Sequence, residues 1–298
     1  MLANPAFGPQ LVNGVEMNWV QLRMQSALAN TVEDIDRNIE HSLAHPYIRF
    51  QDLVGKQSGA VSVVGSGPSL KKNWKKLRDS GTEIVACNAA CQFLLQRGVV
   101  PKYMFCFDAD PLMYEFLTPH KDITYLIASR VPPKTWELLK GCKIVCWHSA
   151  GDENIEKILQ KHNRMEPMIT GGSAAVTRAM ILVLPLGYSE THIWGGDSSF
   201  SDGDTHIRKS TTEERRIQVM VNKRSFETAP WMANQAEDFK TLINIFVKGH
   251  GINIIVHGDG LIPHIARTEG LRVVDGEPLW RHAAREFFFR LKLIWKHL

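Results

Sequence analysis

No stretch of this 298-residue chain reaches 18 uncharged apolar residues, so a membrane-spanning helix is not expected. The opening MLANPAFGPQLVNGVEMNW lacks a basic start followed by an apolar run, so it does not read as a signal peptide. Charge of one sign is also scarce. A formal net charge of +4 over this length gives no electrostatic case for a nucleic-acid partner. The five cysteines, Cys87, Cys91, Cys106, Cys142 and Cys146, are odd in number and sit in strand-like segments. That fits reduced thiols and a cytoplasmic setting better than a disulfide framework. The run CKIVC has no second cysteine cluster to make it a zinc site, so core thiols are expected there. Low complexity and internal repeats are absent too.

What is present is a regular alternation of short apolar runs and helical stretches. Residues 16 to about 44 carry apolar positions at helical spacing, among them Val20, Leu28, Val32, Ile35, Ile39 and Leu43, and predict a helical prelude. Strands are then expected at 60–64, 83–87, 103–107, 122–128, 143–147, 191–195, 253–257 and 271–274. Helices are expected at 71–79, 89–97, 133–140, after Gly172, and at 233–249. This rhythm implies an α/β fold, a Rossmann-like mostly parallel sheet with helices on both faces. Three parts follow: a helical N-terminal segment (1–58), the Rossmann-like transferase domain (59–276) and a C-terminal tail (277–298). The polar stretch 197–231 breaks the rhythm and is expected to be a lid, a small subdomain or a disordered loop.

The chemistry-bearing residues fall at strand ends. The first strand of the alternation runs into Gly65, Ser66, Gly67, Pro68 and Ser69. Two glycines permit a sharp turn, and the helix that follows offers N–H groups to a phosphate. The run lacks the Gly-Lys-Ser/Thr ending of a Walker loop and the third glycine of the dinucleotide fingerprint, and a plain strand-to-helix turn is the competing reading. The next strand ends at Asn88 and the third at Asp108-Ala109-Asp110-Pro111. Ligands of open parallel sheets bind outside such carboxyl ends. Asn88 suits a base or sugar. Asp108 and Asp110 suit a magnesium ion or a ribose, with capping of the turn at Pro111 as the plainer role for Asp110. Gly171, Gly172 and Ser173 open an apolar helix as a second anion cradle, unless their smallness serves packing alone. Asp197 ends the strand THIWG, and Asp202, Asp204 and His206 follow. His206 is a candidate base or phosphate donor, although one of twelve histidines in a polar loop is more ordinarily a solvated side chain.

In this order GSGPSL, ACNAA, the aspartate strand end after Gly98-Val99-Val100-Pro101, TGGSAA and LGYSETHIWGGDSSF resemble the 6-hydroxymethylpterin diphosphokinase-like family, over about residues 40 to 260. That family includes motility-associated Maf proteins that transfer nonulosonic acids onto flagellin. A more distant likeness is to bacterial lipooligosaccharide sialyltransferases, which use CMP-sialic acid. It implies that Gly67 and Asn88 contact the nucleotide and that Gly171 to Ser173 face the cytidine phosphate. It also implies that Asp110 meets the donor sugar, and that Phe200 to His206 replace phosphate-binding tyrosines. The histidine base those enzymes carry before the helix near Ala233 is missing here, where the chain reads SFETAPWMANQ.

The expectation is therefore a nucleotide-sugar glycosyltransferase, with Asp108, Asp110 and His206 as catalytic candidates. Gly65 to Ser69, Asn88, Gly171 to Ser173 and Asp197 would bind a nucleotide or nucleotide-sugar donor. The acceptor would be a small molecule, a glycan or a protein. The runner-up is an ATP- and magnesium-dependent diphosphokinase acting on a hydroxymethylpterin-like compound, with Mg2+ on Asp108 and Asp110. A non-catalytic nucleotide-binding scaffold stands third. Residues 279–298, with five Arg/Lys against one glutamate among many aromatics, read either as an amphipathic helix on an anionic membrane or as a helix docked on the protein.

Overall fold

A computed structural model describes residues 10–12, 15–17, 30–201, 204, 206, 207 and 215–275. The tail 279–298 and Asp202 lie outside the described residues. The start of the chain differs from the helical expectation: β1 (Gln10–Val12) and β2 (Val15–Met17) pair antiparallel. The helix described in this region is α1 (Val32–Leu43), and residues 18–29 of the expected prelude lie outside the described residues. Thr31 caps it: its hydroxyl accepts from Asp34 N–H, and the Asp34 side chain answers at the Thr31 N–H. No helix among the described residues is long and apolar enough to cross a membrane.

The alternation then appears as β3 (Ile48–Arg49), β4 (Ala60–Val64), α2 (Leu70–Arg78), β5 (Glu83–Cys87), α3 (Ala89–Leu95), β6 (Tyr103–Cys106), β7 (Thr124–Ala128), α4 (Pro133–Leu138), β8 (Lys143–Ser149), α5 (Ile155–Lys161), β9 (Met168–Ile169), α6 (Ala175–Leu182) and β10 (Glu190–Trp194). After it come β11 (Ile217–Val221), β12 (Arg224–Thr228), α7 (Pro230–Leu242), β13 (Asn253–His257), α8 (Leu261–Thr268) and β14 (Arg272–Val274). Ten strands form one sheet in the order β14-β13-β10-β4-β5-β6-β7-β8-β3, with β9 also paired to β8. Every pairing in it is parallel. The central strands β4, β5, β6 and β7 are buried almost end to end, which is why they are continuous apolar runs rather than alternating ones. Trp147 is fully buried, and its ring stacks between those of Phe105 and Phe107 at 5.2 and 5.7 Å. All five cysteines are free thiols, four of them buried.

The strand order runs outward in both directions from β4 and β10, so the switch point of the sheet lies between them. The 197–231 excursion contains a hairpin rather than a structureless loop. Ile217, Val219 and Val221 of β11 face the core and Gln218 and Met220 face out, with Asn222-Lys223 at positive φ forming a two-residue turn.

On β10 and β13, His192 Nδ1 and His257 Nε2 stand 2.9 Å apart, and the Trp194 ring lies parallel on His257 at 3.5 Å. Burial, then the neighbouring His192, depresses the His257 pKa from 6.5 to about 4. The unfolded chain protonates this ring near pH 6.5 and the folded chain only near pH 4. Its stabilisation is thus complete above pH 6.5 and is lost as pH falls through that window, by up to about 3 kcal/mol. Urea titrations at pH 7, 5.5 and 4.5 should show a flatter acid loss for His257→Gln than for the parent. Parallel losses in the two proteins would remove His257 as the cause.

Candidate functional site

The switch point carries a cleft bordered by Gly65, Ser66 and Gly67 after β4, Asn88 after β5, Asp108 after β6 and Gly195 to Ser198 after β10. Ser173 to Val176 at the start of α6, His206, and Trp231, Met232 and Gln235 of α7 complete it. The glycines are demanded by close approach. A Cβ on Gly65 would sit 2.6 Å from Gly195 O, and one on Gly67 would sit 2.4 Å from Asp197 Oδ2. That crowding has a consequence for the expected phosphate cradle. Gly65 N–H donates to Trp194 O, Gly67 N–H to Gly195 O, Ser69 N–H to Asp197 Oδ2 and Leu70 N–H to Gly67 O, at 2.7 to 3.1 Å. Pro68 has no N–H. The loop is mostly a clamp between β4 and β10, leaving the Ser66 side of it for an anion.

Asp197 borders the cleft, but its carboxylate is directed into the protein. It is 4% exposed, and Oδ2 accepts from Ser69 N–H at 2.8 Å. Gly258 and Gly260 close over it, where Cβ atoms would lie 3.2 Å from Oδ1 and 2.7 Å from the Asp197 Cβ. Burial raises its pKa, and the Ser69 hydrogen bonds restrain the rise. It is an internal cap for α2.

Asn88 holds a strained backbone, φ 47 and ψ −126, at the end of β5. Its Nδ2 donates to Asp108 Oδ2 at 3.2 Å, while its buried Oδ1 has no partner among the described residues. Burial raises the Asp108 pKa against the opposing charge of Arg130. Asp110 is not brought to the cleft. It is exposed, and Oδ1 accepts from Leu112 N–H at 2.8 Å, an Asx turn into the segment after Pro111. Asp110 nevertheless acts on Asp108, whose pKa its charge helps to raise, and no three His, Cys, Asp or Glu side chains among the described residues gather as metal ligands.

The second cradle is also altered. Gly171 and Gly172 stand behind the cleft, where Cβ atoms would meet Arg178 Cδ at 3.2 Å and Thr177 Oγ1 at 2.5 Å. Ser173 borders the cleft, yet its N–H and O–H both donate to Asp238 Oδ2, at 2.9 and 2.6 Å. His206 does reach the cleft. Ile207 N–H donates to Ser66 O at 2.8 Å, Lys71 pairs with Asp204 at 2.7 Å, and the His206 ring lies parallel to Trp231 at 5.7 Å. Sequence reasoning missed Trp231 and Gln235. Their signal was a spacing of one helical turn just inside a helix opened by Pro230.

Away from the cleft, Ser129 Oγ meets His148 Nδ1 at 2.9 Å and His148 Nε2 meets Glu166 at 3.3 Å. All three are buried, so this nucleophile-like trio is structural; Ser42 of α1 donates to Ser129 O.

The Asp197 geometry makes a stability prediction. Asp197→Ala strands the Ser69 N–H and should lose about 1–3 kcal/mol. Asp197→Asn keeps an acceptor without a buried charge and should lose less in the same urea-unfolding measurement. Equal losses would mean that the charge, rather than the acceptor, matters.

Curated protein sequences give no significant match. Among solved structures, a Maf glycosyltransferase from Magnetospirillum magneticum AMB-1 is similar in fold, with a TM-score of 0.59 at 15% identity. The match covers 85% of this chain and 39% of that one, so the chain spans about two fifths of its length. Two structures of a mammalian sialyltransferase align with TM-scores of 0.37 and 0.38 at 14% and 15% identity. They cover 92% and 85% of this chain, and 92% and 90% of those chains. The family model described as 6-hydroxymethylpterin diphosphokinase MptE-like matches residues 30–203, more than half of the sequence, and the chain belongs to that family.

Proposed function

We propose that this protein is a nucleotide-sugar glycosyltransferase whose donor lies across the switch-point cleft. Asp108 carries the reading. It is a carboxyl group with a raised pKa, oriented by Asn88, at a strand end that borders the same cleft as the glycine loop. A carboxylate of raised pKa is a stronger base than an ordinary one. It suits removal of a proton from an acceptor hydroxyl. In the proposed step the hydroxyl oxygen bonds to the anomeric carbon as the carbon–oxygen bond to phosphate breaks. The bonding pair leaves with the nucleotide phosphate, and the hydroxyl proton passes to Asp108. Ser66 and His206, which border the cleft, would meet the departing phosphate. A CMP-activated sugar is the donor that the resemblance to sialyltransferases favours, and the shared fold with a Maf glycosyltransferase agrees with sugar transfer. The acceptor, a small molecule or a hydroxyl on a glycan or protein, would enter beside His206.

A second reading, diphosphoryl transfer from ATP, is favoured by the family itself. Its magnesium would be held by Asp108 and Asp110, whose charges act on one another.

Calorimetric titration with CMP, CTP and ATP, each with and without magnesium, separates the two. Binding of CMP or CTP that is indifferent to magnesium is expected, whereas ATP binding that requires magnesium would overturn the sugar-transfer reading. Once a donor is found, turnover should rise with pH as Asp108 loses its proton, with a midpoint above the ordinary carboxylate value of 3.8. Asp108→Asn should abolish that rise and reduce turnover by about 10²- to 10⁴-fold. An unchanged pH profile would remove Asp108 as the base.

A further inference from the structure

Both helix-start loops at the cleft hold one of the protein's own carboxylates, and the two differ in kind. Asp197 is sealed under Gly258 and Gly260, so nothing from solvent can replace it on Ser69. Asp238 is only half-buried, and Ser173, which it holds, is exposed at the cleft edge. A single oxygen, Asp238 Oδ2, accepts both the N–H and the O–H of Ser173. One phosphate oxygen would take that same pair of donors.

The position of Asp238 in the fold matters equally. It lies on α7, the helix whose earlier residues Trp231, Met232 and Gln235 form one wall of the cleft. Gly172 lets α7 come this near, since a Cβ there would be 3.2 Å from Asp238 Cβ. The contact therefore ties the α7 wall to the loop before α6.

We propose that Asp238 is a built-in, displaceable competitor for the phosphate of the ligand. The phosphate takes over the Ser173 N–H and O–H, and its arrival unlatches α7 from the opposite side of the cleft. The inference rests on the reading of the cleft as a nucleotide-phosphate site. It sets affinity, since each binding event must first give up two hydrogen bonds to a carboxylate.

The test uses the full chain, with CMP and inorganic pyrophosphate as probes in calorimetry. Asp238→Ala empties Ser173 and should bind both about tenfold more tightly than the parent. Asp238→Asn removes the charge but leaves an oxygen able to keep the latch, so its gain should be smaller. Ser173→Ala added to Asp238→Ala removes the O–H and leaves the N–H, so it should reduce the gain by several-fold without abolishing it. Equal gains for Asp238→Ala and Asp238→Asn would reduce the effect to charge repulsion and overturn the proposal, as would a gain undiminished by Ser173→Ala. If Asp238→Ala does not fold, Asp238→Ser, whose side chain is shorter, carries the same expectation. Identical CMP affinities in parent and variants would remove the latch alone. An absence of CMP and pyrophosphate binding in every protein would remove the latch together with the site reading.

Discussion

The contact between the Asp197 carboxylate and Ser69 N–H holds the site region together. It joins the loop after β4 to the loop after β10, at the one place where the sheet changes direction. The loop after β13 closes over it through Gly258 and Gly260. Three strand ends thus meet on one buried carboxylate, and glycine is forced at positions 65, 67 and 260, where any Cβ would enter a backbone or carboxylate oxygen or the Asp197 backbone. A buried acid is expensive unless it is bonded, and here its bond is also the cap of α2. The floor is rigid because its amides are already paired. The side chains that stand on that floor and border the cleft are Asn88, Asp108, Ser173, His206 and Trp231.

The sheet was legible because its strands are buried on both faces. AVSVV, EIVAC and TYLIA are unbroken apolar runs, and the structure places them within a residue or two of expectation. The two-residue strands β3 and β9 carry no periodicity to find. The hairpin at 217–228 did carry one: IQVMV alternates inward and outward and ends in Asn-Lys. It was masked by the charged residues before it, which dominate any average over the stretch.

The candidate site was legible as a set of strand ends and illegible as a set of hydrogen bonds. Local sequence names Ser69 and Ser173 as donors, but not what they donate to. Their carboxylate partners lie 128 and 65 residues away, and no local pattern links them. Asp110 shows the opposite case. Its partner is two residues on, at Leu112, and the capping reading that Pro111 invited is the one the backbone follows.

The cleft is assembled from two stretches of chain with different surroundings. Its floor, from Gly65 to Ser198, lies within the segment that the family shares, whereas the wall from Trp231 to Gln235 lies beyond it. A protein built this way can exchange what it accepts by altering a few outward positions on one helix. The glycines and the buried aspartate that set the backbone path need not be renegotiated each time, so chemistry and architecture are free to diversify at different rates.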